Sequence, residues 1–201
     1  MSEQLNQLFL EIQKTSYLEW IAFIFSLIYL ILATLKNNWC WIFAILSSAI
    51  YVYIFYSVNF YFDSILQLFY IAMAMLGWLN WNKTGEKKLI ITKKTNYHII
   101  SISITLLTSV IFGFIFDTYT KQVFPYIDSA IFFFSIFATY LITKKILENW
   151  IYFVIIDFIA IYIYWQRDLL LTSVLFFIYT ILAFYAFILW KKDYKKSKLN
   201  T

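Results

Sequence analysis

Seven runs of 16 to 22 mostly apolar residues dominate this chain, at about 17–35, 39–56, 60–81, 97–116, 126–143, 150–165 and 169–190. A bilayer core offers no water to a peptide group, so a crossing segment satisfies its own N–H and C=O groups as a helix or shares them in a closed barrel. These runs have helical length and lack the alternation of barrel strands. One proline and three glycines supply few breaks. With 63% hydrophobic and 13% charged residues and a mean hydropathy of +0.74, the sequence predicts an all-α polytopic membrane protein.

Residues 1–16 have another pattern. Leu5, Leu8, Phe9 and Ile12 fall at helical spacing among Glu3, Gln7, Glu11 and Lys14, which predicts a short amphipathic helix lying in the membrane interface. No cleavable signal peptide is expected there. Seven spans put the two ends of the chain on opposite sides. Lys36, the 83–96 linker, Lys144, Lys145 and the 191–201 tail share one side and hold 13 of the 16 basic residues; Lys14, Lys121 and Arg167 lie on the other. The positive-inside rule then places the linker and the tail in the cytoplasm and the amino end outside. The net charge of +5 is thus a mark of topology and calls for no nucleic-acid partner.

A long stretch of the chain also occurs twice. NWCWIFAILSSAIYVYIFY, from Asn38, returns as NWIYFVIIDFIAIYIYW from Asn149, and an offset of 111 pairs Asn38-Trp39 with Asn149-Trp150, Tyr51 with Tyr162 and Tyr53 with Tyr164. After a two-residue contraction, an offset of 109 pairs Ser64 with Ser173, Tyr70 with Tyr179, Trp81 with Trp190 and Lys83 with Lys192. The reading is two three-helix repeats, 17–82 and 125–190, joined by a single span at 97–116. That odd span restores the starting side, so the repeats face the same way about a pseudo-twofold along the membrane normal, with substrate expected between them.

Polar groups inside spans are costly and become functional candidates by default. Asp157 is the sharpest, roughly 10 Å along its helix at 1.5 Å per residue; a structural hydrogen bond is the other reading. In this register its counterpart is Leu46. Asp63, Gln67 and Tyr70 share one helix face through their spacing of four and seven. Asp63 near its span start also suits a helix cap, as does Asp128 after Pro125. Trp41, Trp78, Tyr51, Tyr162 and Tyr179 lie toward the polar faces, where aromatic rings beside carboxylates suit a planar organic cation. Trp81, Trp165 and Trp190 at span ends read as interfacial belt residues. Asn38 and Asn149 open helices and suit capping; Trp150 follows Asn149.

Several chemistries find no support. There is one cysteine and one histidine, with no phosphate loop, GxSxG or HExxH, so neither a metal, a cofactor nor an enzyme activity is expected. No lysine falls between Lys145 and Lys191 to carry a retinal Schiff base. The classes left are a solute carrier and a membrane scaffold subunit without a solute path.

Across about residues 17–192, the segments NNWCWIFAILSS, FYFDSILQLFYIAMAMLGWLNW, PYIDS and LENWIYFVIIDFIAIYIY make the chain resemble the PnuC family of vitamin transporters. The resemblance implies a 3+1+3 bundle similar to SWEET sugar transporters, assembled as a homotrimer in a bacterial inner membrane. It further implies facilitated diffusion of nicotinamide riboside with trapping by cytoplasmic phosphorylation, or transport of thiamine or riboflavin. Carried over by position, Asp63, Gln67, Trp78, Asn149, Trp150 and Asp157 match motif residues; Trp41, Tyr70 and Tyr179 complete the expected substrate site.

Overall fold

The computed structural model describes residues 2–57, 61–82, 89–119, 123–167 and 169–199, with side chains described from residue 6 and, after the first gap, from residue 64. Among the described residues eight helices follow in order: α1 (Ser2–Lys14), α2 (Tyr17–Thr34), α3 (Cys40–Ser57), α4 (Tyr61–Asn82), α5 (Thr95–Tyr119), α6 (Pro125–Thr143), α7 (Asn149–Gln166) and α8 (Leu170–Leu199). Seven of them, α2 to α8, are long and apolar enough to cross a membrane. Among the described residues the only β pairing is an isolated bridge between Ile91 and Ile146.

Six helices close into a ring. Going round it, α2 packs on α3, α3 on α4, α4 on α6, α6 on α7, α7 on α8, and α8 back on α2; α5 sits outside against α6, and α1 lies on α8. The seams between repeats are therefore α4 with α6 and α2 with α8, which exchange under the duplication. Large apolar side chains such as Ile24, Leu107, Phe158 and Phe184 point outward, as expected where lipid is the solvent.

Local backbone chemistry sets the corners. Helices α2 and α6 both end in a Schellman motif: Asn37 N–H donates to Leu32 O and Lys36 N–H to Ala33 O, while Ile146 N–H donates to Leu141 O and Lys145 N–H to Ile142 O. Lys36 and Lys145 take left-handed φ of 57° and 55° where glycine is usual, at a cost of about 1–2 kcal/mol each. At the α1–α2 junction, Ser16 and Glu19 form a reciprocal capping box. Glu11 of α1 then reaches across to accept from Leu170 N and Leu171 N at 3.2 and 2.8 Å, capping α8 from another helix. Asp128 does not cap α6, whose N-cap Phe124 makes no side-chain bond; it pairs with Arg167 at 2.6 Å. Opposite charges facing each other across a half-buried gap outcompete a cap.

These corners correct the register of the repeat. The backbone contacts that open α3 and α7 recur at an offset of 109: Cys40 N–H to Asn37 O matches Asn149 N–H to Ile146 O, and Trp41 N–H to Asn38 O matches Trp150 N–H to Leu147 O. Trp150 thus corresponds to Trp41, and Asn149 to Cys40; the repeated Asn-Trp pair was a misleading guide. Burial explains why. Trp41 and Trp150 are 1% and 0% exposed, whereas Trp39 is 60% exposed and stands outside. No contraction separates the helices of a repeat, because Ser64 Oγ donates to Val52 O and Ser173 Oγ to Ile161 O, again 109 apart. The counterpart of Asp157 is accordingly the buried Ser48, not the exposed Leu46.

Candidate functional site

The faces of α4 and α8 that turn into the ring carry matched stripes: Tyr70, Ala74, Gly77 and Trp81 on one, Tyr179, Ala183, Ala186 and Trp190 on the other. The spacing of four, three and four places each set on one helical face. Two layers of contact result.

At the lysine-rich end, four tryptophans interlock. Trp41 meets Trp81 edge to face at 5.2 Å and 82°, Trp150 meets Trp190 at 5.4 Å and 85°, and Trp81 and Trp190 join the two pairs at 6.1 Å. Trp81 Nε1–H donates to Ile142 O at 3.1 Å, and Trp190 Nε1–H to Thr34 O at 3.0 Å. Each repeat therefore stitches its last helix to the end of the other repeat's first helix. Trp81 and Trp190 are interior residues and not members of an interfacial belt; Trp165, 48% exposed, keeps that location. A span-end tryptophan turns inward where a small residue on the facing helix makes room. Gly77 does this for Trp41, since a Cβ there would overlap the indole.

Deeper in the ring lies a polar layer. Tyr179 OH and Ser26 Oγ share a hydrogen bond of 2.5 Å, and Tyr70 lies beside Ser135, the counterpart of Ser26. Asp157, 6% exposed and about 12 Å along α7 from Asn149, lies within electrostatic range of both phenols. It is near both repeats at once, so it sits on the ring's interior. Tyr29 is in range of Tyr70 and Tyr179 as well, and its ring lies 6.1 Å from Trp41. Ser26, Ser135 and Tyr29 had no distinguishing mark in sequence beyond the offset that relates the two serines.

The residues expected at the site divide as follows. Tyr70, Asp157 and Tyr179 come together in the polar layer. Trp41, Asn149 and Trp150 lie in the tryptophan layer, fully buried. Asn149 does not cap its helix: its Nδ2 donates to Ile146 O at 2.6 Å, and its Oδ1 is buried without a protein partner. The indole Nε1–H groups of Trp41 and Trp150 are likewise buried and unpaired, so two donors and an acceptor stand unused in this layer. Gln67 is half-buried on α4, one turn from Tyr70. Trp78 stands on the flank of α4, edge-on to the exposed Trp39 at 6.0 Å. Tyr162 is 60% exposed and faces away from the polar groups. The side chain of Asp63 lies outside the described residues. A separate apolar crevice of about 340 Å³ opens between α4, α5 and α6, lined by Phe69, Met73, Ile104, Phe133 and Phe137, and holds none of these groups.

An aromatic-walled interior with one carboxylate among its described side chains, and no lysine or arginine in the seven apolar runs, the lysines of α8 all following Trp190, can stabilise a planar cation and disfavours anions. Comparison with known proteins is consistent with solute transport. A family model described as nicotinamide mononucleotide transporter matches residues 16–192. The chain is 24% identical over 203 residues to the nicotinamide riboside transporter PnuC of Escherichia coli (strain K12) and, equally, to that of Shigella flexneri, spanning 87% of this chain and 85% of each relative. The crystal structure of the vitamin B3 transporter PnuC superposes with a TM-score of 0.73 at 18% identity, over 96% of this chain and 88% of that one.

Proposed function

This chain belongs to the nicotinamide mononucleotide transporter family, and from that premise we propose that it carries nicotinamide riboside across a bacterial inner membrane by facilitated diffusion. The family's name and its relatives' names differ by one phosphate. The observation that carries the choice is Asp157 among Tyr70 and Tyr179, in an interior without a basic side chain. A pyridinium nucleoside brings the positive charge that a buried carboxylate lacks. A nucleotide would add a phosphate with no guanidinium or ammonium to receive it.

In this reading the lysine-rich end is cytoplasmic, the amino end is outside, and the four-tryptophan layer is the closed inner gate. Substrate rests in the polar layer above it, with Asp157 facing the pyridinium, the tyrosines and Gln67 serving the ribose hydroxyls, and Asp63 adding negative potential near the outer mouth. Trp41, Trp78 and Trp150 supply aromatic surface, and the free Oδ1 of Asn149 accepts from the carboxamide as the gate loosens. Phosphorylation in the cytoplasm then keeps the product from returning. The homotrimer and the SWEET-like arrangement belong to this proposal as well.

Calorimetry on the purified protein tests it, with nicotinamide riboside, nicotinamide mononucleotide, thiamine and riboflavin titrated in parallel. Heat with the riboside and none with the mononucleotide is the expected result. Heat with thiamine alone would reassign the substrate, and silence with all four would overturn the vitamin reading.

A further inference from the structure

The two corners of the lysine-rich end have the same backbone and different fastenings. At the α2–α3 corner, Lys36 forms an ion pair with Asp193, which lies on α8 just past Trp190. At the α6–α7 corner, the fastening is the segment 89–94 that follows α4. Ile91 N–H donates to Lys145 O at 3.1 Å, Leu147 N–H donates to Ile91 O at 2.9 Å, and Lys93 N–H reaches Glu148 Oε1 at 3.3 Å. Ile90, 6% exposed, belongs to the same apolar cluster as the four tryptophans. Each corner is thus held by the chain that leaves the other repeat's terminal tryptophan, once through charge and once through backbone pairing.

The ionic fastening is the weaker of the two. Lys36 is 31% and Asp193 40% exposed, so water and salt reach the pair. Burial at the corner, with Lys196 adding like charge, holds the Lys36 ammonium below the usual lysine range despite its partner. Without Asp193, two lysines would face each other there. The bridge at Ile91, by contrast, exchanges neutral peptide hydrogen bonds that ionic strength barely touches.

We propose that Lys36–Asp193 and the 89–94 segment, joined to each other through the exposed Thr92–Tyr194 hydroxyl contact of 3.1 Å, are two separately releasable latches on the gate, and that the α2–α3 corner releases first, as ionic strength rises, while the α6–α7 corner stays pinned. The proposal rests on reading this end as the gated exit. Lys36, Asp193, Ile91 and Glu148 become gating residues that touch no substrate.

The chain's single cysteine reports on it. Cys40 is fully buried in the tryptophan layer, beside Trp41, so its rate of reaction with a maleimide measures how often that layer opens. The full-length protein in lipid nanodiscs, without substrate, should label faster as sodium chloride is raised. Asp193→Asn should label about two- to fivefold faster at low salt and lose the salt dependence, the size expected of a partly exposed ion pair. Ile91→Pro, which removes one donor, should label about fivefold faster at every salt concentration and keep the salt dependence. Glu148→Ala repeats that test, more weakly, if the proline variant does not fold. Equal labelling of wild type and Asp193→Asn would overturn the ionic latch, and loss of salt dependence in Ile91→Pro or Glu148→Ala would overturn separate release. Either failure leaves riboside heat in calorimetry untouched, and absence of that heat with intact latch behaviour would fault the transport reading alone.

Discussion

Trp81 and Trp190 touch across the pseudo-twofold axis at 6.1 Å, and each gives its indole N–H to a carbonyl on the opposite repeat. Two residues related by duplication thereby join the two repeats in one layer, through a shared ring contact and two separate hydrogen bonds.

Trp81→Phe and Trp190→Phe keep most of the ring surface and delete one hydrogen bond each, leaving Ile142 O with only the Lys145 N–H and Thr34 O without its indole donor. Each should lower unfolding stability in detergent by about 1–2 kcal/mol. Because the rings are in contact, the double variant should deviate from the sum of the two, and a double-mutant cycle of unfolding free energies measures that coupling.

Gly77→Ala should be far worse than its size suggests. The added methyl overlaps the Trp41 indole, an overpacking expected to cost about 1–3 kcal/mol. Its counterpart already carries that methyl as Ala186, so Ala186→Gly should cost only about 1 kcal/mol, the ordinary helix penalty. Thermal melting of both variants checks the inequality.

Asp157→Asn preserves shape and removes the charge. Uptake of a cationic nucleoside should fall at least about tenfold, corresponding to roughly 1.4 kcal/mol of lost attraction, while the melting temperature holds or rises because an unpaired buried charge is gone. Riboside uptake by vesicles and a melting curve, taken together, separate a site role from a folding role. Unchanged uptake would remove Asp157 from the site.

Glu11→Ala uncaps α8 from a distance of 159 residues in sequence. The freed N–H groups of Leu170 and Leu171 should exchange hydrogen faster, and stability should drop by about 1 kcal/mol, in the usual range for a lost N-cap. Hydrogen exchange resolved to the start of α8 is the direct measurement.

The seven spans and the two same-facing repeats could be read from apolar run length and from Tyr70, Tyr179, Trp81 and Trp190 alone. The pairing of α3 with α7 could not. Asn38-Trp39 copies the letters of Asn149-Trp150, but letters carry no burial, and only the folded corners show that Trp41 is the tryptophan turned inward. Trp81 and Trp190 were misplaced for a related reason. An indole at a span end has the same sequence signature whether its N–H meets headgroups or a carbonyl from another repeat. Ser26 and Tyr179 are 153 residues apart, and their bond exists only because the ring closes. Gln67 and Tyr70, by contrast, were placed on one face by helical spacing, and they lie one turn apart on α4.

Ring closure also dictates an order of assembly. Helix α8 supplies both the α7 and the α2 contacts, so until its 30 residues are in place Thr34 O and Ser26 wait without their partners and the other five helices form an open arc. A chain emerging from its amino end completes that helix last. Truncation before Trp190 should therefore leave a membrane-inserted but unclosed intermediate, the species on which quality control by membrane proteases would act.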